Sequence, residues 1–176
     1  MDNNLAVVYL LILLALLFGA GLNILRQILK TRKTENALAR LQKKLNKEKG
    51  TTQEYYELGS ILLDKKVYAQ AISLFQKAIK AAEEEGEEKI SIIYNALGFA
   101  YFGQEQYDAA IRQYKEALKH NPNYATALNN LGHTYERKKL TAQALQAYEQ
   151  ALQSEPNNVT AKRRVESLRK RFVTSA

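Results

Sequence analysis

One interval recurs through most of this chain and dictates its architecture. When residues 91–124 are laid over residues 125–158, Tyr94 falls on Leu128, Leu97-Gly98 on Leu131-Gly132, and Tyr101 on Tyr135. Further on, Ala110 falls on Ala144, Tyr114 on Tyr148, Ala117 on Ala151 and Pro122 on Pro156. The offset is 34 at every pair. A third copy lies upstream in Tyr55, Leu58-Gly59, Leu62, Ala71, Phe75 and Ala78, at an offset of 39 from the second. Its five extra residues fall in the acidic run from Glu83 to Glu88, and Glu83 stands where the other copies carry proline. That fits a longer, solvated loop.

A period of 34 with a leading large residue, Leu-Gly, Tyr, Ala, an aromatic, Ala and a closing Pro resembles the tetratricopeptide repeat. The resemblance implies two antiparallel helices per copy. One pair cannot bury its apolar stripe alone, so stacking of about three copies is needed to make a continuous core. Gly inside a helix costs roughly 0.8–1.0 kcal/mol against Ala. Gly59, Gly98 and Gly132 at equivalent positions therefore mark close packing, as do Ala71, Ala110 and Ala144. Pro122 and Pro156 come just past helix ends, where a residue without an N–H stops the helix. The expected fold is all-α: an N-terminal transmembrane helix, a three-repeat solenoid and a C-terminal capping helix. Its boundaries are an anchor over residues 1–25, a basic juxtamembrane segment over 26–51, repeats over 52–90, 91–124 and 125–158, and a basic cap and tail to residue 176.

Residues 3–25 carry no charge, and residues 5–22 are almost wholly apolar. About 20 such residues span a hydrocarbon core roughly 30 Å thick. A cleaved secretory signal is the competing reading, with Gly19-Ala20-Gly21 as its small-residue site. The front of the segment carries Asp2 and no Lys or Arg, whereas a signal peptide wants a positive front. Nine basic residues and two acidic ones follow between Arg26 and Lys49. By the positive-inside rule this places everything after Leu25 on the cytoplasmic or stromal side. Basic charge is otherwise concentrated between Lys162 and Arg171, so the net charge of +8 is patchy. No recognised nucleic-acid module accompanies it, and the membrane-proximal patch suits anionic headgroups. Leu38, Leu41 and Leu45 have helical spacing, which fits an amphipathic helix leading out of the membrane or a short coiled-coil seam. Gly50-Thr51-Thr52 carries a stop and caps for the next helix. After Pro156, Ala161, Val165, Leu168 and Phe172 form one apolar face backed by Lys162, Arg163, Arg164, Arg169, Lys170 and Arg171, as a solenoid cap requires.

The chain holds no cysteine and two histidines, which removes disulfides, thiol nucleophiles and thiolate metal sites together. No phosphate loop, dinucleotide fingerprint, zinc-protease helix or nucleophile elbow occurs. His120 and His133 lack a second ligand at metal spacing. The expectation is a non-enzyme with no metal, cofactor or small-molecule substrate. What remains is protein binding, in the groove that first helices of successive tetratricopeptide repeats line. The family's groove positions fall here on Tyr56, Glu57, Ser60 and Leu63, on Asn95, Ala96, Phe99 and Phe102, and on Asn129, Asn130, His133 and Arg137. Of these, Tyr56, Ser60, Asn95, Phe99, Phe102, Asn129, Asn130 and His133 are the candidate partner-binding residues. Asn side chains can bond a partner's backbone, and aromatics supply buried anchor area. Inter-repeat core is the competing reading for Phe99 and Phe102. The clamp that grips chaperone carboxylates falls on Tyr56, Ser60, Ala96, Thr126 and Asn130, which include no cation.

A single N-terminal anchor, the text Leu25-Arg26-Gln27-Ile28-Leu29-Lys30-Thr31-Arg32 and Leu41-Gln42-Lys43-Lys44-Leu45, and then three repeats complete a wider resemblance. The chain resembles the membrane-anchored tetratricopeptide photosystem I assembly and stability factors of cyanobacteria and plastids. That resemblance implies a thylakoid location, no cofactor, and a chaperone-like scaffold that holds photosystem I subunits during assembly. A general membrane-anchored adaptor or targeting receptor for another complex is the alternative.

Overall fold

The computed structural model describes residues 2–86 and 90–174, with side chains from 7 to 86 and from 90 to 170. All regular elements among them are helices. They are α1 (Asp2–Leu45), α2 (Thr52–Asp64), α3 (Tyr68–Glu85), α4 (Ile90–Gly103), α5 (Tyr107–His120), α6 (Ala125–Arg137), α7 (Thr141–Ser154) and α8 (Val159–Thr174). The chain divides into two units, Met1–Asn46 and Lys47–Ala176.

The first unit is one helix of 44 residues, about 66 Å long at 1.5 Å per residue. No proline interrupts the apolar and basic halves, and the backbone runs unbroken through residue 25, where the charge pattern ends the anchor. On its apolar half the Asn23 amide turns back to the helix itself, donating to the Gly19 carbonyl at 3.0 Å. Val7 to Leu14, Leu16, Leu17 and Phe18 are all more than half exposed. By length and composition this helix is long and apolar enough to cross a membrane.

In the second unit α2 and α3, α4 and α5, and α6 and α7 form antiparallel pairs, and α8 closes the stack against α7. The repeat residues explain the pairing. On each first helix a glycine faces an aromatic ring of the second. A Cβ at Gly59 would lie 2.8 Å from the Phe75 ring, one at Gly98 2.7 Å from Tyr114, and one at Gly132 2.9 Å from Tyr148. Real side chains do not tolerate such distances, so the ring lies flat where a side chain is missing. Phe75, Tyr114 and Tyr148 are at most 1% exposed.

The seams between repeats follow a related rule with two solutions. A Cβ at Gly103 would stand 2.4 Å from Tyr68, so Tyr68 at the start of α3 covers bare backbone at the end of α4. One repeat later the glycine is replaced by Arg137, which lies over Tyr107 at 5.7 Å from the ring centre and donates to its hydroxyl at 3.0 Å.

The acidic insertion differs from expectation. Glu83, Glu84 and Glu85 are not loop but an added turn of α3, which runs 18 residues against 14 for α5 and α7. Two of its acids have partners. Glu84 pairs with Lys49, and Glu85 accepts from the backbone N–H of Thr52 at 3.2 Å. Gly86, with φ of 68°, ends the helix. Glu87, Glu88 and the Phe172 side chain lie outside the described residues. Thr51 begins α2 with a reciprocal capping box to Glu54.

Each turn within a pair closes the same way. Lys66, Glu105 and Lys139 hold φ of 61°, 60° and 60°, and the next N–H donates back to Leu62, Tyr101 and Tyr135 in turn. This is the helix-ending geometry that usually takes glycine. Lys139→Gly is therefore expected to raise the unfolding free energy by about 0.5–1 kcal/mol, read as a higher urea midpoint in detergent micelles. An unchanged or lower midpoint contradicts the strain argument.

At the repeat offset from α6, α8 is a fourth first helix with its second-helix face altered. Lys162, Glu166 and Arg169 stand where Leu128, Gly132 and Tyr135 stand in α6. The inward face is kept, with Ala161, Val165 and Leu168 buried.

Candidate partner-binding groove

α2, α4 and α6 lie side by side, so equivalent positions of the three repeats form rows across one face. The middle helix is the apolar one. Ile92 is 38% and Phe99 46% exposed, while Phe102 is half-buried. The Phe99 and Phe102 rings stack at 6.4 Å. Phe102 reaches Tyr107 at 5.5 Å and, across the seam, His133 at 4.9 Å. Phe99, Phe102 and His133 are thus brought into one aromatic cluster, which Arg137 closes through Tyr107.

The amides behave differently. Asn130 donates to Asn95 at 3.0 Å across the α4–α6 seam, so these two residues tie the groove wall together. Asn129 donates to Asn158 at 3.2 Å, and Asn158 in turn accepts from the N–H of Ala161 at 2.9 Å. Asn129 therefore faces the start of α8, and its own Oδ1 is buried without a partner among the described residues. The Ser60 hydroxyl donates to the Tyr56 carbonyl one turn back at 2.8 Å. The Tyr56 ring rests against Phe75 at 5.9 Å and lines a cleft of about 270 Å³ with Gln53, Glu85, Ile92 and Ile93. The expectation that the asparagines bond a partner's backbone meets a groove where each of them already holds a neighbour.

Electrostatics sharpen one end. Partial burial first, then the nearby Arg164 guanidinium, hold the His133 imidazole below its usual range, so it is neutral at pH 7. Glu136 faces inward, accepting from the Tyr148 hydroxyl at 2.7 Å and pairing with Arg164 at 3.5 Å. Arg137 faces outward, its side chain 52% exposed and 3.9 Å from an exposed Glu105. Tyr107 and Arg164 were not among the sequence candidates. The repeat does mark both: Tyr107 is the counterpart of Tyr68 one copy on, and Arg164 the counterpart of Asn130.

Two core phenols also titrate abnormally. Burial pushes the Tyr114 hydroxyl well above its usual range; burial, then the bond to Glu136, does the same to Tyr148. The folded protein thus keeps both phenols neutral at a pH where the unfolded chain ionises them. Stability is full below about pH 10 and falls as pH rises further, because unfolding then releases protons. The urea midpoint is expected to stay level up to about pH 9.5 and to decline above. Tyr148→Phe should flatten that decline; an equal slope in the variant would contradict the assignment.

His120, expected at a helix end, is the last residue of α5 and stacks on Tyr94 at 5.5 Å. No group of three or more metal-ligating side chains occurs among the described residues.

Two profiles of the tetratricopeptide repeat match residues 51–121 and 95–159. With the stacked pairs and the open face of first helices, they define a tetratricopeptide-repeat solenoid, a protein-interaction scaffold. Among solved structures, MamA superposes with a TM-score of 0.71 at 22% identity over 80% of each chain. The first repeat domain of Spaghetti (RPAP3) bound to an HSP90 peptide gives 0.63 at 20% identity, over 72% of this chain and 96% of that one. Both likenesses speak to fold alone. The curated relatives are more specific. The ycf37 protein of Cyanophora paradoxa is 34% identical over 130 residues, 74% of this chain and 75% of that one. The ycf37 protein of Guillardia theta is 38% identical over 107 residues, 61% of this chain and 60% of its own length. PYG7, a chloroplastic tetratricopeptide protein of Arabidopsis thaliana, is 35% identical over 122 residues, 69% of this chain and 40% of the longer relative. The chain belongs to the ycf37 family, to which PYG7 is also related.

Proposed function

We propose that this protein is a membrane-anchored, non-catalytic scaffold that binds photosystem I subunits or assembly intermediates and promotes photosystem I assembly or stability. The carrying observation is the 130-residue likeness to ycf37. It is longer than the three repeats together (52–158) and so rests on more than a widespread repeat. The chloroplastic relative supports a thylakoid setting, and the long apolar helix supports a single-pass anchor. The basic run after Leu25 supports a groove on the cytoplasmic or stromal side. The mechanism is local concentration: the anchor confines the groove to the membrane into which the partner inserts, and effective concentration replaces tight intrinsic affinity.

The test is a mild-detergent pull-down of the tagged full-length protein from its native membrane, with captured proteins identified by mass spectrometry. Photosystem I subunits enriched over photosystem II subunits are expected. Capture of a different membrane machine, with no photosystem I, would replace this reading with the general anchored adaptor.

A further inference from the structure

We propose that the groove takes an amphipathic helix of the partner laid along α4, not an extended strand laid across the stack. This rests on the scaffold reading above, and it names the shape and chemistry of what the scaffold holds. The first argument is hydrogen-bond accounting. An extended segment brings a row of unpaired backbone N–H and C=O groups, and each costs free energy if it is desolvated without a partner. The side chains placed to receive them are turned to neighbours: the Asn130 amide donates to the Asn95 Oδ1, the Asn129 amide donates to Asn158 and keeps its own Oδ1 buried, and the Ser60 hydroxyl donates to its own helix. A helix satisfies its backbone internally and asks only for a matching apolar face.

The second argument is the direction of the exposed apolar surface. Ile92, Phe99 and Phe102 follow one another along a single helix at spacings of seven and three, covering about 15 Å. Across the stack two of the three rows turn polar, Gln53, Ile92 and Thr126 in one and Ser60, Phe99 and His133 in the next, while the third sets Leu63 and Glu136 beside Phe102. A strip of this length matches roughly three turns of a partner helix with apolar residues at i, i+3 or i+4, and i+7. The third argument is charge. At the Phe102 end Arg137 faces outward beside the more exposed Glu105, 3.9 Å away, in a weak, solvent-screened pair. The partner helix therefore carries an acidic residue on the flank that meets α6.

Photocrosslinking measures the geometry directly. Full-length protein carrying p-benzoyl-phenylalanine at position 92, or at position 99, is irradiated in native membranes, and the attached residues of the captured protein are mapped. The two positions lie about 10 Å apart along α4. A helix along α4 gives attachment sites about seven residues apart, with Asp or Glu in the same segment. Sites about three residues apart or fewer mean an extended chain and overturn the proposal. Photosystem I subunits attached at strand spacing would remove the helix and leave the scaffold function standing. A non-photosystem protein attached at helical spacing would do the reverse. Attachment of nothing at either position overturns the groove and the helix together.

Discussion

Tyr114→Ala is expected to lower the unfolding free energy by about 3–5 kcal/mol, the range for deleting a large buried ring. The ring is 1% exposed and lies between Gly98 and the flanking Ala110 and Ala117, which are fully buried. None of these can grow to fill the space, so the cavity persists. The position also lies in the middle pair of a stack in which each pair is held by its neighbours, so the loss uncouples the first repeat from the third. Urea unfolding followed by circular dichroism in detergent should show a large drop in midpoint. Tyr114→Phe, which keeps the ring, should cost only about 1 kcal/mol. Gly98→Val pushes a side chain into the same ring and should itself destabilise by about 1–3 kcal/mol. Combined with Tyr114→Ala it should cost less than the sum, because the new side chain occupies the vacated space. A loss under about 1 kcal/mol for Tyr114→Ala, far below the usual cost of such a cavity, would show that the ring is not a keystone of the stack.

Phe99→Glu is expected to reduce partner capture at least a hundredfold while leaving helicity and membrane insertion intact. A hundredfold is about 2.7 kcal/mol, within reach of one aromatic anchor. The substitution leaves the core alone because Phe99 is 46% exposed and touches Phe102 by stacking only at 6.4 Å. It places a carboxylate in the middle of the apolar strip, where a docked partner would strip it of water. The same mild-detergent pull-down reads the loss, and circular dichroism reads the fold. A folded Phe99→Glu protein that still captures its partner removes this residue from the binding face.

The helix pairs were legible because the repeat carries its own geometry. A glycine, an alanine and an aromatic recurring at one offset can be satisfied only where a ring meets bare backbone, and Gly98 with Tyr114 is that meeting. The acidic insertion reads as a solvated loop because it is rich in glutamate; Glu83 to Glu85 are exposed, yet they continue α3. Nothing in the run itself announces that Lys49 and the open N-terminus of α2 wait beside it. The aromatic half of the groove was legible from position alone, since Phe99, Phe102 and His133 share rows that the period defines. The asparagines show where that reading stops. The period gives their rows, but whether an amide turns toward solvent or toward Asn158 depends on a neighbour from another repeat. Period and spacing do not encode that choice.

The altered face of α8 sets the length of the solenoid. A repeat stack has no intrinsic limit, since every first helix offers a seat for a second, and a seat left empty at the end of one molecule fits an element of the next. Head-to-tail contacts of that kind do not close, and they propagate into fibres. Lys162, Glu166 and Arg169 occupy the seat that Leu128, Gly132 and Tyr135 would keep open. The architecture that lets pairs add without end thus carries its own terminator, spelled in three side chains. That punctuation separates a discrete scaffold from a polymer.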